Sequence, residues 1–273
     1  MMRCVIIEDP SSVVKYLRRD VLRNNCFLEA VEKNVPPVPR EIRAAVTPDG
    51  AMFGVMLVED FPHSKWVRMR ADSPRALRVL VGCLDPQGSY CFAVHDDLRK
   101  WFMESVSNPK LSSETVAMTL LPSEFCPFEI PGEARRLRVA DKALTEAFAD
   151  CGPHEPPLSR FVEWTEGEPE SLAVFGLLVD EEIVSYVEFR VAVDNIWEVC
   201  TIRTRTEAQG KGFAKAALSY ASGELLREGM LPLYQVRHDN VPSIRTAEAV
   251  GYREAFRVFG YEAAVERTAE ING

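Results

Sequence analysis

Six consecutive residues, Gln-Gly-Lys-Gly-Phe-Ala at positions 209–214, form the part of the sequence best suited to bind a phosphate group. Gly210 and Gly212 carry no Cβ that would hold a ligand away from the backbone. A glycine turn between a strand and a helix presents free N–H groups and the positive end of the helix dipole to an anion. Lys211 and Lys215 add positive charge nearby. This chemistry predicts a site for a pyrophosphate.

The flanking residues predict the strand and the helix that such a loop requires. Residues 197–204 are rich in β-branched side chains, which is typical of a strand. Apolar residues then recur at helical spacing from Phe213 to Leu225 and stop near Gly229. A P-loop is excluded because its glycine spacing is absent. A dinucleotide-binding fingerprint is excluded because Lys215 stands where a small residue is required.

A second motif follows the first along the chain. Residues 232–236 predict a strand, and Asn240 and Ser243 precede a helix that ends at Gly251 and Tyr252. The loop itself fits the pattern Gln/Arg-x-x-Gly-x-Gly/Ala. In this order the two motifs resemble those of the GNAT superfamily of acyl-CoA N-acyltransferases. The resemblance implies an α/β fold, acetyl-CoA as co-substrate, no metal, and acetyl transfer to a primary amine of a small molecule or an amino acid.

The resemblance also implies which residues hold the acetyl-CoA. Backbone groups of three strand residues would pair with the pantetheine arm and polarise the thioester carbonyl. The loop would bind the pyrophosphate, and Asn240 and Ser243 would contact the arm or cap the last helix. The predicted set is Ile202, Arg203, Thr204, Gln209, Gly210, Lys211, Gly212, Phe213, Ala214, Lys215, Asn240 and Ser243.

Acyl transfer to an amine also needs a base, because an alkylammonium group has a pKa near ~10. Glu198 is the predicted catalytic base, since it lies on the strand beside the loop. Strand alternation would place it on the same face as Cys200 and Ile202. Glu188 and Asp194 are the alternatives.

The tyrosine that usually serves as the acid in this family is missing, because Ala247 stands at its position. Tyr220, Tyr234 and Tyr252 are candidate substitutes. A thiolate, whose thiol has a pKa near ~8.5, is already a tolerable leaving group. The missing tyrosine keeps a second hypothesis open: a non-catalytic acyl-CoA-binding or regulatory protein. Four carboxylates in residues 163–170 would favour a cationic amine, unless this is only a solvated acidic loop.

The length of 273 residues suits two domains. Residues 121–132 are rich in proline and predict a linker, which gives domains at 1–125 and 126–273. The first half predicts a helix at 12–33, three strands and then alternating helices and strands, which is also the order of a GNAT domain. Residues 70–74 replace the glycine loop there. We therefore expect a degenerate GNAT-like domain without a CoA site, as in relatives of glycine N-acyltransferase. An Ala-x-Phe-Gly segment at both 51–54 and 173–176 is a further hint of duplication.

The amino-acid composition limits the class of protein, its compartment and its partners. The hydrophobic fraction of 47% and the charged fraction of 27% are typical of a soluble globular protein, and no apolar run reaches membrane-spanning length. Seven cysteines without a Cys-x-x-Cys pair indicate reduced thiols, hence a cytoplasmic protein. The net charge of −9 disfavours nucleic acid as a partner. We expect a monomer or homodimer whose partner is a small-molecule amine, with no membrane partner.

Overall fold

The computed structural model describes residues 2–33, 38–148, 158–167 and 170–265. Its strands are β1 (Arg3–Ile6), β2 (Arg40–Val46), β3 (Met52–Phe61), β4 (Ser64–Ala71), β5 (Tyr90–His95), β6 (Ser107–Thr119), β7 (Glu133–Arg136), β8 (Leu172–Val179), β9 (Glu182–Val193), β10 (Ile196–Thr204), β11 (Leu231–Arg237) and β12 (Arg253–Ala264). Its helices are α1 (Ser11–Leu17), α2 (Asn25–Glu32), α3 (Pro74–Val81), α4 (Asp96–Met103), α5 (Lys142–Glu146), α6 (Leu158–Gly167), α7 (Phe213–Arg227) and α8 (Val241–Val250).

The chain forms two compact units. Unit 1 contains Met1–Thr115 together with the chain from Phe256 onward, and unit 2 contains Val116–Ala255. Unit 2 thus begins at Val116, ahead of the predicted boundary between residues 125 and 126, and most of β12 belongs to unit 1. Each unit follows the element order β-α-α-β-β-β-α-β-α. The predicted fold class, two α/β units in tandem with mixed sheets and flanking helices, is confirmed.

Unit 1 is built on a sheet with the strand order β1-β2-β3-β4-β5-β12. The pair β4–β5 is parallel, and the other recorded pairs are antiparallel. The core of the unit lies where α3 and α4 meet the sheet, and it includes the buried side chains of Phe259 and Tyr261 from β12. The late strand therefore supplies part of the core of the first unit.

The predicted helix at residues 12–33 is wrong, because the structure has two shorter helices there. The side-chain amide of Asn24 donates to the carbonyl of Leu17 at 2.7 Å, and that of Asn25 donates to Leu22 at 2.5 Å. Asparagine amides that bond to nearby backbone compete with helical hydrogen bonds, and this breaks the helix. The short edge strand β1 was not predicted.

The repeated Ala-x-Phe-Gly segment is not a sign of duplication. Residues 51–54 lead into β3, the second of three consecutive strands in unit 1, whereas residues 173–176 lie in β8, the first of three in unit 2. The two segments therefore occupy strands that do not correspond. The shared element order is the feature that relates the two units.

Unit 2 contains the strand order β7-β8-β9-β10-β11, in which β10–β11 is the parallel pair. The turn from β8 to β9 uses two residues with positive φ, Asp180 at +51° and Glu181 at +63°, as tight hairpins require. One core lies against α7 and α8, and it contains Phe189 and Trp197. The other lies against α6 and contains Tyr186. The sheet is thus covered on both faces.

Residues 121–132, here called the strap, have no helix or strand, as predicted, but they pack on α7. The backbone N–H of Phe128 donates to Ser219 Oγ at 2.8 Å. Phe125 lies within 3.2 Å of the position that a Cβ of Gly223 would take. The strap is therefore part of unit 2. Within the described part of the chain, no helix is both long and apolar enough to cross a membrane.

Candidate functional site: a cleft between two parallel strands

Strands β10 and β11 separate part-way along their length. Their parallel register runs from Ile196–Leu231 to Val199–Tyr234. On its other edge β10 continues to pair with β9 as far as Thr204–Ser185. Beyond Val199 a cavity of about 250 Å³ opens between the two strands. Its lining includes the predicted residues Ile202, Arg203, Asn240 and Ser243.

A β-bulge at Cys200 marks the point where this cleft opens. The register with β9 shifts between Val199 and Thr201. The extra residue reverses the alternation of side chains, so Ile202 packs against the same core as Val199. The prediction that Glu198 shares a face with Ile202 is therefore wrong. Glu198 and Ile202 point to opposite faces of the sheet.

The glycine loop connects β10 to α7 at the end of the cleft. Gly210 has φ = +75° and Gly212 has φ = +88°, a region that favours glycine. A Cβ at Gly210 would meet no atom within 4 Å, so that side of the loop is open. No side chain caps α7 at Gly212. The first N–H groups of the helix, including those of Phe213 and Ala214, therefore have no partner within the helix. A diphosphate fits this set of donors.

The start of α8 forms the opposite wall of the cleft. The side chain of Asn240 accepts a hydrogen bond from the Ser243 N–H at 3.3 Å, which confirms Asn240 as the cap of this helix. Ser243 Oγ lies 2.6 Å from the hydroxyl oxygen of Tyr234. All three side chains line the cleft. They place a hydroxyl pair and a capped helix start opposite the edge of β10.

Glu198 lies beside the cleft but is not one of the residues that line it. Its Oε2 accepts a hydrogen bond from Arg190 Nη2 at 2.8 Å, and its Oε1 accepts one from Gln235 Nε2 at 2.8 Å. The Glu198 side chain is 14% exposed. Gln235 lines the cleft. The carboxylate is therefore held in a fixed orientation one side chain away from the cavity.

The alternative carboxylates lie in different places. Glu188 is buried and pairs in register with Thr201, next to the bulge. Asp194 lies in the turn between β9 and β10, at the far end of β10 from the cleft. Desolvation, followed by the negative charge of Glu188, raises the pKa of the Cys200 thiol to about 12. Cys200 therefore stays protonated at neutral pH and is a poor nucleophile.

Of the three candidate tyrosines, Tyr234 lines the cleft. Burial raises the pKa of Tyr234, and the hydrogen bond with Ser243 partly offsets this. Tyr252 is fully buried, and its hydroxyl bonds to another core side chain at 2.7 Å. Tyr220 lines a separate cavity. Ala247 is completely buried in the core. The position that usually carries the acid is therefore a packing position in this chain.

Phe128 of the strap is a candidate site residue that the sequence motifs do not identify. Two of its ring atoms lie 3.3 Å from the position that a Cβ of Gly212 would take. The ammonium nitrogen of Lys215 lies 4.4 Å from the centroid of the same ring, whereas Lys211 is exposed. The sequence contains a signal for this packing. Phe125 and Phe128 are three residues apart in the strap, and small residues recur along α7, so aromatic rings can pack against them.

A larger cavity, of about 620 Å³, lies beside the turn from β8 to β9. It contains none of the predicted site residues, and we do not assign it to the site. The acidic segment at 163–170 begins within α6, but residues 168 and 169 lie outside the described residues.

Comparison with known proteins explains this geometry. Residues 138–252 match the sequence model of the family described as "Acetyltransferase (GNAT) family". The matched residues lie within unit 2 and make up less than half of the chain, so the sequence similarity to this family is a property of unit 2. No curated protein matches the chain by sequence. The similarity to this family points to acyl transfer from acyl-CoA.

Solved structures show that the GNAT fold extends over the whole chain. A GNAT-family acetyltransferase from Colwellia psychrerythraea has a TM-score of 0.66 at 13% identity, covering 96% of this chain and 99% of that one. A GCN5-related N-acetyltransferase from Sphaerobacter thermophilus has a TM-score of 0.63 at 14% identity, covering 97% and 96%. A tandem GNAT protein from the clavulanic acid biosynthesis pathway has a TM-score of 0.63 at 10% identity, covering 97% and 99%. At these identities the likeness concerns the fold alone.

Proposed function

We propose that the protein is an N-acetyltransferase that moves the acetyl group of acetyl-CoA to a primary amine of a small molecule or an amino acid. The observation that carries this proposal is the cleft between β10 and β11, which ends at the glycine loop. One wall of the cleft is the edge of β10, which no longer pairs with β11 beyond Val199. The far end is the uncapped start of α7.

The parts of the site correspond to the parts of acetyl-CoA. The backbone of Ile202 lies beyond the point where pairing with β11 ends, so it can bind the pantetheine arm as an added strand. Asn240 and Ser243 form the facing wall. The N–H groups at the start of α7 suit the diphosphate. The cofactor supplies the activated acetyl thioester, and the chain binds and orients it.

Glu198 is the proposed base. Arg190 and Gln235 each donate to one of its carboxylate oxygens, so the group is held in place beside the cleft. Gln235 lies between Glu198 and the cleft. The amine proton therefore reaches Glu198 directly past this amide or through a bridging water.

Tyr234 is proposed to stabilise the leaving thiolate. Burial raises the pKa of its hydroxyl above the ordinary value near ~10, whereas a thiol has a pKa near ~8.5. Transfer of the tyrosine proton to the thiolate is therefore uphill. A hydrogen bond from the hydroxyl to the developing negative charge is favourable without full transfer.

The test is release of CoA thiol from acetyl-CoA in the presence of diamines, amino acids and arylalkylamines. Two glycines of unit 2 provide a matched pair of variants. Gly210 and Gly229 both have φ = +75°, and a Cβ at either one meets no atom within 4 Å. We expect Gly210→Glu to lose acetyl-CoA binding and Gly229→Glu to keep it, since Gly210 alone of the two lies in the loop. Equal losses would contradict the assignment of the loop.

A non-catalytic acyl-CoA-binding or regulatory protein is the second candidate. It is favoured by the buried alanine at position 247 and by the two hydrogen bonds that already engage Glu198. Acetyl-CoA binding in calorimetry, without thiol release for any amine in the panel, would support this candidate over catalysis.

A further inference from the structure

A separate cavity of about 330 Å³ lies between the strap and α7. Phe128 and Ala216 line it beside the first turns of α7, followed by Tyr220 further along the helix. Phe125 and Arg227 lie toward the other end, beside the C-terminal half of α7. Ligand pockets in proteins measure about 300–1,000 Å³. A cavity at the lower limit of this range suits one ring system and not a whole cofactor.

Phe128 borders both this cavity and the glycine loop. Two of its ring atoms lie 3.3 Å from the position that a Cβ of Gly212 would take, and its backbone N–H donates to Ser219 Oγ at 2.8 Å. Phe128 is partly buried, and this hydrogen bond anchors the strap to α7. An aromatic ring therefore stands in a set position beside the start of α7, where an anion is expected to bind.

Lys215 adds a charge to this ring. Its ammonium nitrogen lies 4.4 Å from the ring centroid, which is within cation–π distance. A planar ring and an adjacent ammonium group are the two features that bind a base and a phosphate of a nucleotide. A diphosphate held at the loop would place its nucleoside end next to both groups.

We infer that the end of this cavity at Phe128 takes the adenine of coenzyme A, stacked on the Phe128 ring, while Lys215 pairs with the 3′-phosphate of the same nucleotide. The inference rests on the proposed function, because it requires the loop to hold the diphosphate of the cofactor. It adds a subsite built by the strap. Phe128 lies outside the 138–252 segment that matches the family. The loop and strap therefore recognise different halves of one cofactor.

The test compares three ligands that share the acetyl-pantetheine arm: acetyl-CoA, acetyl-dephospho-CoA and acetyl-phosphopantetheine. Calorimetry measures their affinities for the wild-type chain, Phe128→Leu and Lys215→Met. Base stacking on an aromatic ring predicts that Phe128→Leu weakens acetyl-CoA binding between about fivefold and 150-fold. The same variant leaves acetyl-phosphopantetheine, which has no adenine, within about twofold of wild type. Lys215→Met removes the preference for acetyl-CoA over acetyl-dephospho-CoA.

Phe125→Leu is the matched control, because Phe125 opposes Gly223 as Phe128 opposes Gly212, but at the other end of the cavity. We expect it to change none of the three affinities by more than about twofold. Thermal melting checks that each variant is folded. If Phe128→Leu weakens all three ligands equally, Phe128 only supports the loop and the subsite is overturned. If the wild-type chain binds none of the ligands, the proposed function itself fails, which is a different result.

Discussion

The pair β4–β5 in unit 1 and the pair β10–β11 in unit 2 occupy the same place in the element order, and both are parallel. In unit 2 the strands separate after Val199 and a cleft opens. In unit 1 the register ends at Arg68–Ala93, and Arg70 then donates two hydrogen bonds, of 2.9 and 2.8 Å, to the carboxylate of Asp97 at the start of α4. The corresponding place in unit 1 is bridged by an ion pair.

The turns that follow β4 and β10 differ in the same way, because side chains of the protein itself occupy the turn in unit 1. Asp72, in the turn after β4, accepts two hydrogen bonds from Arg19 at 3.0 Å and one from Tyr16 at 2.9 Å. Ser73 caps α3 by accepting from the Ala76 N–H, and Pro74 has no N–H to offer. A helix start retains an anion site only where the chain does not fill it with its own groups. Unit 1 fills it, whereas no side chain caps the start of α7 in unit 2.

The largest expected effect comes from giving unit 2 the negative charge that Asp72 supplies in unit 1. Gly212→Glu puts a carboxylate at the start of α7 and a side chain against Phe128, at a left-handed φ of +88°. We expect acetyl-CoA affinity to fall by about 100-fold or more, since charge, space and backbone all oppose binding. Calorimetric titration measures it, and unchanged affinity would remove the loop from the site.

The next largest effect tests whether unit 2 carries the chemistry through Glu198. Glu198→Gln should lower kcat by about 10²–10⁴-fold, the usual contribution of general-base catalysis. Acetyl-CoA affinity should stay near wild type, because Glu198 does not line the cleft. The rate should partly recover as pH rises and free amine becomes available. A fall of only about threefold with an unchanged pH profile would transfer the role to Glu188, for which Glu188→Gln is the companion variant.

A smaller effect is expected from Tyr234→Phe. Losing a hydrogen bond to a developing charge should lower kcat by about tenfold. Tyr252→Phe is the control, since the Tyr252 hydroxyl bonds to Ser222 inside the core. The control should lower the melting temperature without changing kcat. Equal kcat values for the Tyr234 variant and wild type would leave thiolate release to solvent.

The smallest effect on activity is expected in unit 1. Arg70→Met breaks the bridge to Asp97 and should leave kcat and acetyl-CoA affinity within about twofold of wild type. Because Asp97 is 40% exposed, the loss of stability should be about 1 kcal/mol or less at pH 7. New binding of acetyl-CoA to a second site in this variant would show that the ion pair alone closes unit 1.

The stability difference between wild type and Arg70→Met should depend on pH. Burial raises the pKa of Asp97, but the hydrogen bonds and charge of Arg70 outweigh this and hold it below the ordinary value. The resulting stabilisation is present above the unfolded pKa, near ~3.9, and is lost as pH falls through the lower folded value. Urea unfolding at neutral and acidic pH should therefore show the gap between wild type and Arg70→Met shrinking below about pH 4. A constant gap would contradict this linkage.

The features that the sequence predicted are local ones. The glycine loop and the Asn240 cap each depend on a few consecutive residues, which determine the local conformation. The features that it missed depend on partners far away in the chain. The bulge at Cys200 is defined by pairing with β9, and the role of Phe128 depends on Gly212. The break in the first predicted helix has a local signal in the sequence, two adjacent asparagines. The helical spacing of the surrounding apolar residues nevertheless predicts one continuous helix.

Most of β12, the last strand of the chain, belongs to unit 1. Unit 1 therefore cannot finish folding until the end of the chain has been synthesised. Val258 to Ala263 pair with β5, and Phe259 and Tyr261 enter the unit 1 core. The ribosome makes β5 long before β12, and at about 5–20 residues per second the delay between them is roughly 10–30 s. Throughout that delay the nascent first unit exposes a free β5 edge and an unfilled core, which are surfaces that chaperones bind. The unit that is translated first is therefore the last to be able to finish folding.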